Sequence, residues 1–145
     1  MKLSQISNLF VLTVLLAGCE PDPTAPILSL EDGWVRAVPP GMKMTAAYGR
    51  FTNHGMDTIE IISFSSDSFT DVGLHQTTME NGVSKMEQVS DWSLSPGTRT
   101  VLKPGGLHLM LMDPTREIRP GDSIGLTLIA ANGEQYRFSL PVETQ

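Results

Sequence analysis

The chain has 145 residues, 40% hydrophobic and 18% charged, enough for one packed domain and little more. Its formal net charge of -6 excludes the basic footprint of a nucleic-acid binder and a polybasic grip on anionic lipid. With one cysteine in the whole chain, a disulfide scaffold and a thiolate zinc site are excluded as well.

Residues 1–18 read as a secretory signal. Lys2 supplies a positive start, the apolar run from Leu9 to Leu16 is broken only by Thr13, and Ala17 and Gly18 are small. The run is shorter than the ~20 residues a spanning helix needs. Leu16-Ala-Gly-Cys19 resembles a bacterial lipobox. That resemblance implies that Cys19 is acylated and becomes the first residue of a chain held on the periplasmic side of the envelope. Glu20 stands where an aspartate would signal inner-membrane retention in enteric-type bacteria, so the outer membrane is slightly favoured over the inner. Residues 19–29 then form the lipidated cysteine and a tether. Its Pro21, Pro23 and Pro26 favour an extended, semi-rigid spacer of ~3.1 Å per residue.

Residues 30–143 are expected to fold as one domain. Strands are expected over 34–37, 46–52, 58–65, 71–78, 83–89, 98–102, 107–112, 123–130 and 134–142. Between them lie turn signals such as Pro39-Pro-Gly41, Asn81-Gly82, Pro104-Gly-Gly106 and Asn132-Gly133. No segment after the signal carries a helical period. Short alternating strands at regular spacing predict an all-β antiparallel sandwich or barrel.

Two of these strands carry chemistry. In Leu107-His-Leu-Met-Leu-Met112, the three leucines share one face, and His108, Met110 and Met112 share the other. In Val72-Gly-Leu-His75, Gly73 and His75 point the same way. If Asn81-Gly82 is a complete two-residue hairpin turn, Glu80 pairs with Val83, Thr77 with Met86 and His75 with Gln88. His75 and Met86 then lie diagonally on one face, about 7–8 Å apart along the backbone. A three-residue turn would place them on opposite faces. Two imidazole–thioether pairs suit one soft ion, and thioether selects Cu(I) over zinc. A donor set without thiolate also survives an oxidising compartment. Binding needs neutral imidazoles and so weakens in acid.

The spacing is that of a known family. His75 and Met86 enclose ten residues, Met86 and His108 enclose twenty-one, and Leu109 alone separates His108 from Met110. Together with Leu74-His-Gln-Thr-Thr-Met79 and Lys103-Pro-Gly-Gly106, this resembles the periplasmic PCuAC-type copper chaperones over roughly residues 33–141. The resemblance implies a cupredoxin-like, antiparallel Greek-key β-sandwich or barrel with an exposed Cu(I) site at His75, Met86, His108 and Met110. It implies a copper chaperone and not an enzyme, supplying copper to the CuA subunit of a terminal oxidase, often beside a Sco-type thiol protein. Some relatives hold Cu(II) in a His- and Met-rich C-terminal tail. Here Val142-Glu-Thr-Gln145 carries neither residue type, so that second site is expected to be missing.

Other readings remain open at this stage. Copper sequestration would use the same four residues. An envelope lipoprotein that binds protein or carbohydrate would use its methionines for packing alone. A blue-copper site needs a cysteine thiolate that the domain lacks. His54 reads as a solvated turn residue, and Met42, Met44 and Met79 as packing, a thioether guard or an entry path. Met112 is a reserve ligand, while Asp71, Glu80 and Glu87 are candidates to orient a histidine. Trp34 and Trp92 read as core or rim. Neither a Ser-His-Asp arrangement nor a phosphate loop is present.

Overall fold

A computed structural model describes residues 26–144, all strand, turn or irregular. Ten strands run in chain order: β1 (Leu28–Arg36), β2 (Met44–Asn53), β3 (Ile59–Ser66), β4 (Phe69–Glu80) and β5 (Val83–Gln88), then β6 (Trp92–Leu94), β7 (Arg99–Leu102), β8 (Leu107–Pro114), β9 (Ser123–Ala130) and β10 (Gln135–Glu143).

Apolar alternation drives each into place. In β9, Ile124, Leu126, Leu128 and Ala130 are buried, and the residues between them are partly open. In β8, Leu109 and Leu111 face the core, as the run of alternate leucines predicts. The hydrogen-bonded path is β5-β4-β8-β2-β1-β10-β9-β3-β6, with β7 also on β2. β7 and β8 follow one another along β2, at Gly49 to Thr52 and at Met44 to Ala47. The strands of this open path pack around one core, to which Phe51 belongs. Trp92 and Phe138 meet Phe51 edge-on at 5.4 and 5.5 Å, a favoured aromatic geometry.

Three features depart from the strand expectations. β1 begins at Leu28, which is buried, and bulges between Glu31 and Trp34 where Asp32 has φ 50°. The bulge breaks the alternation, so only the later half reads as strand from sequence. β6 is three residues long, too short for a period to register, yet Trp92 and Leu94 are buried. β1 and β10 pair in parallel, Val35 opposite Val142, whereas every other pair is antiparallel.

Gly49 lies opposite the bulge, at φ 146°. A Cβ there would stand 2.9 Å from the Gly33 Cα and 2.7 Å from Leu30 Cδ1. Only glycine lets β2 approach β1 so closely, and this approach seats the neighbouring Tyr48.

Candidate metal centre

The β4–β5 hairpin turns on Asn81 (φ 51°) and Gly82 (φ 79°), both left-handed as a tight type I′ turn requires. The register is the one expected of a two-residue turn: Glu80 faces Val83, Thr77 faces Met86 and His75 faces Gln88. On its other side β4 pairs with β8, placing His75 directly opposite His108 and Gly73 opposite Met110. Directly opposed residues of an antiparallel ladder share a face. His75, Met86, His108 and Met110 therefore lie on one face of three adjacent strands.

The two imidazoles stack, with centroids 6.1 Å apart and planes 24° from parallel. His108 is buried, at 4% exposure. On its other side is Tyr48, at 6.4 Å, itself packed on Trp34 at 4.7 Å and beneath the Arg36 guanidinium at 5.3 Å. Met86 stands on the edge strand and is half exposed. The candidate centre is thus closed beneath His108 and open at Met86.

Backbone carbonyls select the tautomers. His108 Nδ1 lies 2.9 Å from the Gly106 carbonyl oxygen, and His75 Nδ1 lies 3.3 Å from that of Gly73. A carbonyl can only accept, so each Nδ1 carries the proton and donates it. In the neutral ring this leaves the Nε2 lone pair free for a ligand, the usual way a metal-binding imidazole is oriented. These partners are backbone carbonyls two residues before each histidine, Gly73 within β4 and Gly106 in the turn before β8, and not Asp71, Glu80 or Glu87. Glu87 is engaged with Lys85 at 2.6 Å, Glu80 stands beside the turn, and Asp71 faces Met112.

Gly73 makes room for this arrangement. A Cβ on it would stand 3.2 Å from His75 Cε1 and 3.7 Å from Gln88 Nε2. Its neighbour in the ladder, Met110, is flanked by Gly73 on β4 and Ala46 on β2. On the Ala46 side an open groove of about 440 Å³ lies over Met110, lined also by Met86, His108, Met42 and Met44.

The other candidates fall elsewhere. His54 is hydrogen-bonded to Ser29 Oγ at 2.8 Å, beside the start of β1, and takes no part in the imidazole stack. Met79 is exposed opposite Ser84, near the hairpin turn. Trp92 is core, and Trp34 supports Tyr48. Cys19, the signal and most of the tether lie outside the described residues. Among the described residues no three His, Cys, Asp or Glu side chains gather as a metal cluster; the candidate donors here are imidazole and thioether. Gly73, Tyr48 and Arg36 are the members that sequence reading leaves unassigned. The only local signal among them is Gly73, two residues before His75 and on its face.

Solved structures share this fold. A solved copper-bound PCuAC domain from PmoF2 superposes with a TM-score of 0.68 at 22% identity, covering 83% of this chain and 95% of that one. The solution structure of Cu(I)-bound DR1885 from Deinococcus radiodurans matches with a TM-score of 0.66 at 29% identity, covering 83% and 80%. The fold is accordingly all-β and cupredoxin-like. In sequence, a protein of Leifsonia xyli subsp. xyli named as a "putative lipoprotein" is 31% identical over 117 residues, 80% of this chain and 69% of that protein. An uncharacterized protein of Rickettsia prowazekii is 32% identical over 99 residues, and the match spans 68% of this chain and 55% of that protein. Residues 28–142 match the family described as "Putative lipoprotein LpqE-like", and the chain belongs to that LpqE-like family.

Proposed function

We propose that this chain is a Cu(I) metallochaperone, tethered through an acylated Cys19 to the periplasmic face of the envelope, with the outer membrane favoured. Copper is its cargo, held by His75 and His108 through Nε2 and by Met86 and Met110 through sulfur. The observation that carries this reading is the shared face of the four donors, with both Nδ1 atoms committed to carbonyls. The likeness to Cu(I)-bound DR1885 supports it.

The chemistry suits a carrier. The donor set is neutral, so bound Cu(I) keeps its charge and is not locked in by thiolate. Thioethers are soft enough to select Cu(I) over zinc and weak enough to exchange. The opening at Met86 offers the cargo to an incoming ligand, while His108 anchors it from below. The recipient proposed is the CuA centre of a terminal oxidase, with a Sco-type thiol protein alongside.

The test is Cu(I) competition against a chelator under reducing conditions. The full chain is expected to take up copper near one equivalent and to leave zinc behind. The His75→Ala/His108→Ala double variant should lose that uptake while keeping the β circular-dichroism spectrum. A double variant that still holds Cu(I) tightly refutes the site. Transfer to a purified CuA domain separates delivery from sequestration, which would leave the copper on this chain.

A further inference from the structure

Beyond the His–Met centre, the same face continues into a second group of thioethers. Met44 on β2 is directly opposite Met112 on β8, in the register that places Ala46 opposite Met110. Directly opposed side chains have Cβ atoms about 4.5–5.5 Å apart, close enough for two flexible thioethers to meet one ion. Met42 and Met44 line the groove that also contains Met86, His108 and Met110. They are 50% and 44% exposed, so both side chains are open to solvent at the mouth of the groove.

The backbone that carries them is held in place. Met42 N–H donates to the Pro39 carbonyl at 3.0 Å, closing a turn in which Gly41 takes φ 76°. Asp113 N–H donates to the Lys43 carbonyl at 2.7 Å, pinning the residue between the two methionines to the end of β8. Charge adds selectivity. The groove lining contains Arg36 and no carboxylate, a field that opposes a divalent cation more than a monovalent one; the carboxylate of Asp71 on β4 stands at its edge, opposite Met112.

We propose that Met42, Met44 and Met112 form a thioether-only landing site for a soft monovalent cation, Cu(I) or Ag(I), from which the ion passes to the His–Met centre. This rests on the Cu(I) reading of that centre. The two sites are consecutive along one strand, because Met112, Met110 and His108 recur every second residue on one face of β8, about 6.6 Å per step. Transfer is a ligand exchange: thioether lone pairs on the ion are replaced by the sulfur and Nε2 lone pairs of the inner donors. The metal keeps its oxidation state and no proton moves. The outer site, lacking imidazole, is the weaker one and fills second at equilibrium.

The test is an Ag(I) titration of the full chain carrying 13C-methyl methionine, read by NMR. The first equivalent is expected to shift the Met86 and Met110 methyls. Excess Ag(I) is expected to shift Met42, Met44 and Met112, while Met56 and Met79, exposed outside the groove, stay put. In the Met42→Leu/Met44→Leu variant the first phase should persist and the second should vanish, and loading from a Cu(I) chelate should slow severalfold. Outer methyls that move no more than Met56, or a second phase that survives the double variant, overturn the landing site. Met86 and Met110 remaining still while the outer methyls move would instead reject the His–Met centre, so the two failures are distinguishable.

Discussion

Gly73 and His75 are coupled through space: the ring of His75 leans back over its own strand until Cε1 sits 3.2 Å from where a Gly73 Cβ would be. The glycine thus decides where the imidazole lies. Gly73→Ala should tilt the ring away, lengthen the Nδ1 contact with the Gly73 carbonyl and weaken Cu(I) binding by roughly tenfold, ~1.4 kcal/mol. Alanine is otherwise acceptable in a strand, so the melting temperature should stay close to that of the parent. A chelator competition beside a thermal melt checks both halves.

Met86 belongs to an edge strand whose residues are all exposed. Its sulfur, and not its packing, is expected to matter. Met86→Leu keeps the apolar bulk and should leave stability unchanged, since exposed substitutions usually fall within ~0.5 kcal/mol. Cu(I) affinity should drop on the order of tenfold or more, because one of four soft donors is lost. Equal affinity for parent and variant would remove Met86 from the donor set.

Asn53 works as a buried polar linchpin. It is 0% exposed, and its Nδ2 donates to the carbonyls of Leu94 and Asp57 at 2.7 and 2.8 Å. Its Oδ1 accepts the Gly55 N–H at 2.8 Å. It thereby ties β6 and the 54–57 turn to the end of β2. Asn53→Ala strands a buried carbonyl and should cost roughly 2–4 kcal/mol, lowering Tm on the order of 10 °C. The His–Met face is remote from it, so copper affinity measured well below the melt should hold.

Tyr136 provides an alkaline marker for the opposite sheet. Burial, reinforced by a hydrogen bond of 2.6 Å to Glu134 and by its charge, pushes the phenol up to about 12 from the ordinary 10.0. The folded form holds the proton more tightly than the unfolded chain. This contribution to stability is therefore complete below pH 10 and is lost as pH climbs towards 12. Glu134→Gln should bring the tyrosinate transition part of the way back, leaving the effect of burial. Absorbance titration of the folded chain checks it.

Much of this molecule is legible one segment at a time. Alternation in Leu107-His-Leu-Met-Leu-Met112 separates the core leucines from the donor face, and Asn81-Gly82 dictates a hairpin register that puts His75 and Met86 on one side. Both are local properties, set by the two-residue period of a strand and by the positive φ a tight turn demands. What lies between distant segments is not written in any period. The pairing of His75 with His108 depends on β4 docking against β8. The parallel seam of β1 and β10 depends on the sandwich packing around Phe51. The packing of Tyr48 beside His108 exists only once those strands have met. These are long-range contacts chosen by burial of the common core, so only the tertiary structure could decide them.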